Sequence, residues 1–285
     1  MDFIWDTYSR IHVWTDMPQV YMIASHNAQE EETIEISTRV SSMLLTQKHM
    51  IVAREDGLVQ WHKLDHPLHN YAQEKQNEDE KKMKVLNDVD QEYVFESQDG
   101  APNYMHYSRG FKKIMIGTSY GLLGYLPVEA EKLDEEEDEE EKEGEKEKKT
   151  ITTPFVELGR FHTGKITGVK PLGISSQFVT ISEDRTLAIW EGTTGSQISR
   201  VHQQSTPVSL AVSHDGQVAF VGSEAGVVRV FDVSNRNMPR LLKQFRFWEE
   251  SIPVSNLRAS HNAKYILASS VESDLVYVFS QKAQD

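Results

Sequence analysis

Short apolar alternations broken by turn residues recur through this chain, and that pattern constrains its fold more than any other feature. Residues 208–212, 218–221 and 227–231 alternate apolar and polar side chains, with Asp215-Gly216 and Ala225-Gly226 between them. Alternation at period two, punctuated by glycine, predicts a three-stranded antiparallel meander. The same layout returns at 165–190 and at 252–279, so the unit is repeated.

An aromatic residue closing each third strand sets the period. Trp190 and Phe231 are 41 residues apart, and Phe231 and Phe279 are 48 apart. Towards the N-terminus Tyr125, Trp61 and Trp14 extend the series at intervals of 65, 64 and 47 residues. The two long intervals hold charged stretches of 21 residues each, 72–92 and 129–149, and without them the intervals become 43 and 44. Four short strands in 40–45 residues make one blade of a β-propeller, and all 285 residues are expected to form one such domain or most of one. Residues 1–14 supply two strands, so the first blade is expected to lack its innermost strand in a ring of about six to seven blades. The missing strand is expected from another segment or another chain, because a propeller normally closes its edges.

Charge narrows the choice of partners. The formal net charge is −14, of which −8 falls in 129–149 and −3 in 72–92, leaving −3 on the remaining body. That body lacks the basic excess that phosphate-backbone binding demands, so nucleic acid is not an expected partner. There is no cysteine, which removes disulfides, thiolate metal sites and a thiol nucleophile. No apolar run is long enough to span a membrane as a helix, and a cytoplasmic address is expected. The stretch 129–149 has Ala130 and Leu133 as its only aliphatic residues and reads as a solvated tether. Excising 131–148 is expected to leave the calorimetric melting midpoint essentially unaltered; a large drop would show that the segment is packed.

One unit carries a fuller polar pattern: His162-Thr-Gly, then Ser182-Glu-Asp184-Arg-Thr-Leu-Ala-Ile-Trp190. An imidazole, a hydroxyl, a carboxylate and an indole can satisfy one another inside an otherwise apolar blade. His162, Ser182, Asp184 and Trp190 in this spacing resemble a WD repeat, and the resemblance implies an all-β WD-repeat β-propeller in which the four form a structural clamp. At the position of Asp184 the other units are read as having Ala225, Ser273, Ser119, Glu55 and Tyr8. Degenerate repeats interrupted by Glu/Lys-rich insertions are similar to the large cilia- and flagella-associated WD-repeat proteins. That resemblance implies an axonemal scaffold, associated with microtubules or with dynein regulation, that works within a larger protein assembly.

Other chemistry is weaker. Gly159 to Lys165 nearly spells a phosphate-binding loop, but Ile166 replaces the metal-binding hydroxyl and a strand follows where a helix is needed. His62, His66 and His69 lie close together, but Pro67 breaks any helix that would align them on a metal. His162, Ser182 and Asp184 offer the members of a hydrolase triad without a nucleophile elbow. No catalytic residue, metal site or cofactor is therefore expected. Binding is the function to expect, through exposed turn residues at one end of the blades: Tyr120, Lys165, Arg185, Trp248 and Glu250. A substrate-receptor or trafficking-coat propeller, or a propeller hydrolase, are the alternatives.

Overall fold

The computed structural model describes residues 2–5, 10–14, 19–24, 30–36, 38–46, 49–63, 84–85, 89–128, 149–150, 155–160, 162–246, 252–260 and 263–280. These residues are built from strands, with no helix among them. The chain divides into two compact units, Met1–Glu96 with Glu129–Pro154 and Ser97–Val128 with Phe155–Asp285.

The first unit contains two sheets. Strands β1 (Asp2–Trp5), β2 (Arg10–Trp14), β3 (Gln19–Ala24) and β4 (Glu30–Glu35) pair in sequence order. Strands β5 (Val40–Leu45), β6 (His49–Arg54) and β7 (Leu58–Lys63) open the second sheet, followed by β8 (Lys84–Val85), which adds to β4, and β9 (Val89–Val94), which pairs with β7. Trp14, Val20, Ile36, Val40, Met43, Met50 and Val52 form one buried apolar cluster of this unit.

The second unit contains four sheets. Strands β10 (Pro102–Ser108), β11 (Lys113–Thr118) and β12 (Leu122–Pro127) precede β13 (Lys149–Thr150), which belongs to the first unit and pairs with β9; β14 (Val156–Arg160) then completes the sheet of β12. The next sheet is β15 (Ile166–Pro171), β16 (Gln177–Ser182), β17 (Thr186–Glu191) and β18 (Gln197–His202). Then come β19 (Pro207–Val212), β20 (Val218–Ser223), β21 (Val227–Asp232) and β22 (Arg240–Arg246), and finally β23 (Asn256–Ala259), β24 (Tyr265–Ser270) and β25 (Ser273–Ser280).

Successive sheets of the second unit pack face to face, and alternation along each strand explains how both faces are buried. Phe178 and Trp190 turn towards Met115 and Leu123. The intervening Val179, Ile181, Leu187 and Ile189 turn the other way, against Leu210, Ala219, Val221 and Phe231. Phe220, Val228 and Val230 repeat the step onto Leu257, Ile266 and Ala268. In the last sheet the corresponding Leu267, Val276 and Val278 are 39%, 59% and 65% exposed.

Three expectations change. The first sheet has five strands, β1 to β4 with β8 at its edge, and Trp14 lies on the second, so it does not lack an inner strand; among the described residues the three-stranded sheet is the last. The alternation at 19–24 and 30–35 is blurred by Tyr21-Met22-Ile23 and by a run of glutamates, which hid both strands. The charged stretch 72–92 gives way to β9 at Val89, before its expected end, because its carboxylates find partners on the neighbouring strands: Asp90 meets His49 Nε2 at 3.1 Å and Glu92 accepts from Gln60 Nε2 at 3.4 Å. Finally, Trp61 and Tyr125 stand opposite Ile51 and Met115, one residue out of register with Trp190 opposite Phe178 and Phe231 opposite Ala219. With both faces buried, an aromatic residue can occupy either, so the aromatic landmark alone did not fix the register. The residues matching Trp190 are Leu126 and His62.

Candidate functional site

Three-residue turns join the second and third strands of four sheets, and their local chemistry is shared. The amide of the last turn residue donates to the carbonyl three residues earlier: Gly57 to Arg54, Gly121 to Thr118, Arg185 to Ser182 and Gly226 to Ser223. This last residue takes a left-handed conformation, with φ of 94° at Gly57, 76° at Gly121, 63° at Arg185 and 73° at Gly226. Such a turn places its bulge residue at positive φ, where glycine is unstrained. Arg185 is the departure, and it is exposed. The turns also correct the alignment: Asp184 corresponds to Asp56 and Tyr120, rather than to Glu55 and Ser119. Asp56 accepts from Thr38 Oγ1 at 3.1 Å and from Arg54 Nη2.

Around the Asp184 turn a buried polar network ties β16 and β17 to the segment that precedes β15. His162 Nδ1 meets Asp184 Oδ2 at 2.8 Å, and His162 Nε2 meets Thr180 Oγ1 at 2.7 Å. Trp190 Nε1 donates to the same Thr180 Oγ1 at 2.7 Å. Thr186 donates to Asp184 Oδ1 through its hydroxyl at 2.6 Å and its amide at 3.0 Å, and the Thr163 amide donates to Oδ2 at 3.2 Å. Burial pushes the Asp184 carboxyl up, but the hydrogen bonds from His162 and Thr186, the His162 charge and the Thr163 amide outweigh it and hold the group well below the usual carboxylate range.

Thr180 and Thr186 are members that the sequence reading missed. Thr180 sits in the middle of β16, where a β-branched residue reads as strand filler; its position opposite Ala188, below the indole, is the signal. Ser182 belongs to the turn instead: its hydroxyl donates to the Gly164 carbonyl at 3.0 Å and accepts from the Asp184 amide at 3.2 Å. Both ring nitrogens of His162 are engaged by Asp184, Thr180 and Thr186, so these residues do not make the serine–histidine contact of a hydrolase triad.

His62, at the Trp190 position of its own sheet, is 2% exposed, and neither ring nitrogen has a hydrogen-bond partner among the described residues. Burial, aided by the Arg54 charge, lowers its pKa to about 4. His66 and His69 lie outside the described residues, within which no cluster of three or more His, Asp or Glu could hold a metal ion.

The structure brings Tyr120, Lys165 and Arg185 to the same end of adjacent sheets. Lys165 immediately precedes β15, and its carbonyl accepts from the Glu183 amide of the Arg185 turn at 2.9 Å. The Tyr120–Gly121 turn lies against 162–164: a Cβ on Gly121 would stand 2.1 Å from the His162 carbonyl oxygen. Tyr120 is 60% exposed. Trp248 and Glu250 lie outside the described residues.

No family model matches the chain. Cilia- and flagella-associated protein 43 of Chlamydomonas reinhardtii is 32% identical over 108 residues, 34% of this chain and 6% of that protein. The COMPASS component SWD3 of Saccharomyces cerevisiae is 29% identical over 98 residues, 33% of this chain and 31% of that protein. The chain thus spans less than a third of either relative's length. A chain in the crystal structure of the mitotic checkpoint complex superposes with a TM-score of 0.68 at 9% identity, covering 95% of this chain and 71% of the other.

Proposed function

With the fold of a WD-repeat β-propeller and sequence similarity to WD-repeat proteins, we propose that this chain is a non-catalytic scaffold that displays rigid turns to protein partners. The observation that carries this reading is the paired turn surface at Tyr120 and Arg185. An exposed aromatic ring and an exposed guanidinium, the side chains most often responsible for binding energy, stand on turns whose backbone is already fixed. Pre-ordered loops lower the entropic cost of association. The polar residues that resemble a catalytic triad are consumed in holding the Arg185 turn. Lys165 flanks the surface, and Trp248 and Glu250 are proposed to extend it.

The match to the ciliary protein supports an axonemal assembly as the setting, with microtubule- or dynein-associated proteins as the partners, in the cytoplasm of the cilium or flagellum. Membranes and nucleic acid have no place in this reading. Cross-linking mass spectrometry in a native ciliary extract tests it. Wild-type cross-links to axonemal proteins are expected from the Tyr120–Arg185 end of the sheets, and the double variant Tyr120→Ala, Arg185→Glu is expected to lose them with its melting midpoint retained. Cross-links unchanged in that variant would remove the proposed surface.

A further inference from the structure

The inner strands β10, β15, β19 and β23 lie side by side in the second unit. Register places His106 opposite Met115, Lys170 opposite Val179, Ala211 opposite Phe220 and Arg258 opposite Leu267. The four residues therefore occupy one rung, at the same position of four successive sheets, and three of them are basic. A cavity of about 510 Å³ opens on this rung. Arg109 and His214 also line it, Leu210 contributes an apolar wall, and no Asp or Glu is among its described lining residues.

The cations here are positioned rather than merely clustered. Lys170 Nζ donates to His106 Nδ1 at 3.2 Å and stands 5.4 Å from the centre of the Tyr104 ring. Burial, then the charges of Lys170 and Arg258, hold His106 well below its ordinary pKa, so the imidazole is the neutral acceptor that orients the ammonium. In a protein of net charge −14, this lining concentrates like charges with no carboxylate among its described residues.

We propose that this rung binds a phosphate group. A phosphate monoester brings close to two negative charges and three acceptor oxygens, which match Lys170, Arg258 and Arg109 better than a single carboxylate does. Its source is either a phosphorylated side chain of a partner protein or a free phosphate. The rung lies towards the C-terminal ends of the inner strands, at the opposite end of the sheets from the Tyr120 and Arg185 turns, so this site and the display surface succeed or fail separately.

The test titrates the full chain with inorganic phosphate and with one peptide pool in phosphoserine and unphosphorylated forms, following the His106 imidazole resonances by NMR. Phosphate-bearing probes are expected to shift those resonances. Lys170→Glu and Arg258→Glu are each expected to weaken binding by about tenfold or more. Lys170→Met, which keeps the aliphatic stem's packing, serves if charge reversal disturbs folding. Tighter binding of the phosphopeptides than of inorganic phosphate assigns a protein-borne source, and equal binding assigns free phosphate. No shift with any phosphate probe, equal binding of the unphosphorylated peptides, or undiminished binding in the variants would overturn the proposal.

Discussion

Replacing Trp190 by alanine is expected to lower stability by about 3–5 kcal/mol, the range for removing a large buried aromatic side chain. Trp190 is fully buried, packed with Phe178, Ala188, Met115 and Leu123 between two sheets. Its ring also meets His162 edge-on, with centroids 5.8 Å apart. Truncation opens a void at a sheet-to-sheet contact and takes the indole donor from Thr180, although Thr180 keeps His162 as a partner. Trp190→Phe separates the two losses: it retains most of the packing and should be much the milder change. Chemical denaturation of the three proteins checks this, and an alanine effect within about 0.5 kcal/mol, the scale of a surface substitution, would mean that the indole is not in the core.

The second large effect is expected at Asp184. Substitution by alanine should cost about 3 kcal/mol, because a buried charged acceptor is lost and Thr186, Thr163 and His162 lose their shared carboxylate partner. The effect should also depend on pH. The folded carboxyl is held below its unfolded value, which is about 4. Between the folded and unfolded values the unfolded chain binds more protons, so stability rises with pH there. The Asp184 contribution is therefore present in full above about pH 4 and is lost as the pH falls through the folded value. Denaturation from pH 7 down to about pH 2 should show the wild type and Asp184→Ala converging at the acid end; a constant gap across that range would remove the carboxylate from the account.

These effects show how much the sequence disclosed. The strands of the second unit were legible because alternation is sharp there and each turn carries a glycine or an aspartate that the backbone needs. The sheet face on which an aromatic residue falls was not legible. In a stack buried on both sides, one residue of slip exchanges the two faces without changing the apolar pattern. That is how Trp61 and Tyr125 came to stand in for His62 and Leu126. The clamp was partly legible for a related reason. Asp184 and Trp190 stand out by their spacing, Asp184 two residues after Ser182 and Trp190 six after Asp184, whereas Thr180 looks like any β-branched filler until the indole and the imidazole converge on its hydroxyl. The basic rung was hidden altogether, because His106, Lys170 and Arg258 are more than sixty residues apart and only equivalent register brings them together.

The central claim is that repeated four-stranded antiparallel sheets stack face to face and fix the turns between them. An experimental density map of the chain tests it most directly. The account predicts separate meanders in the order β15 to β18 and β19 to β22, with the Trp190 indole between the sheets against Met115 and its nitrogen on Thr180. Helices between the aromatic landmarks, or a Trp190 ring open to solvent, would contradict it.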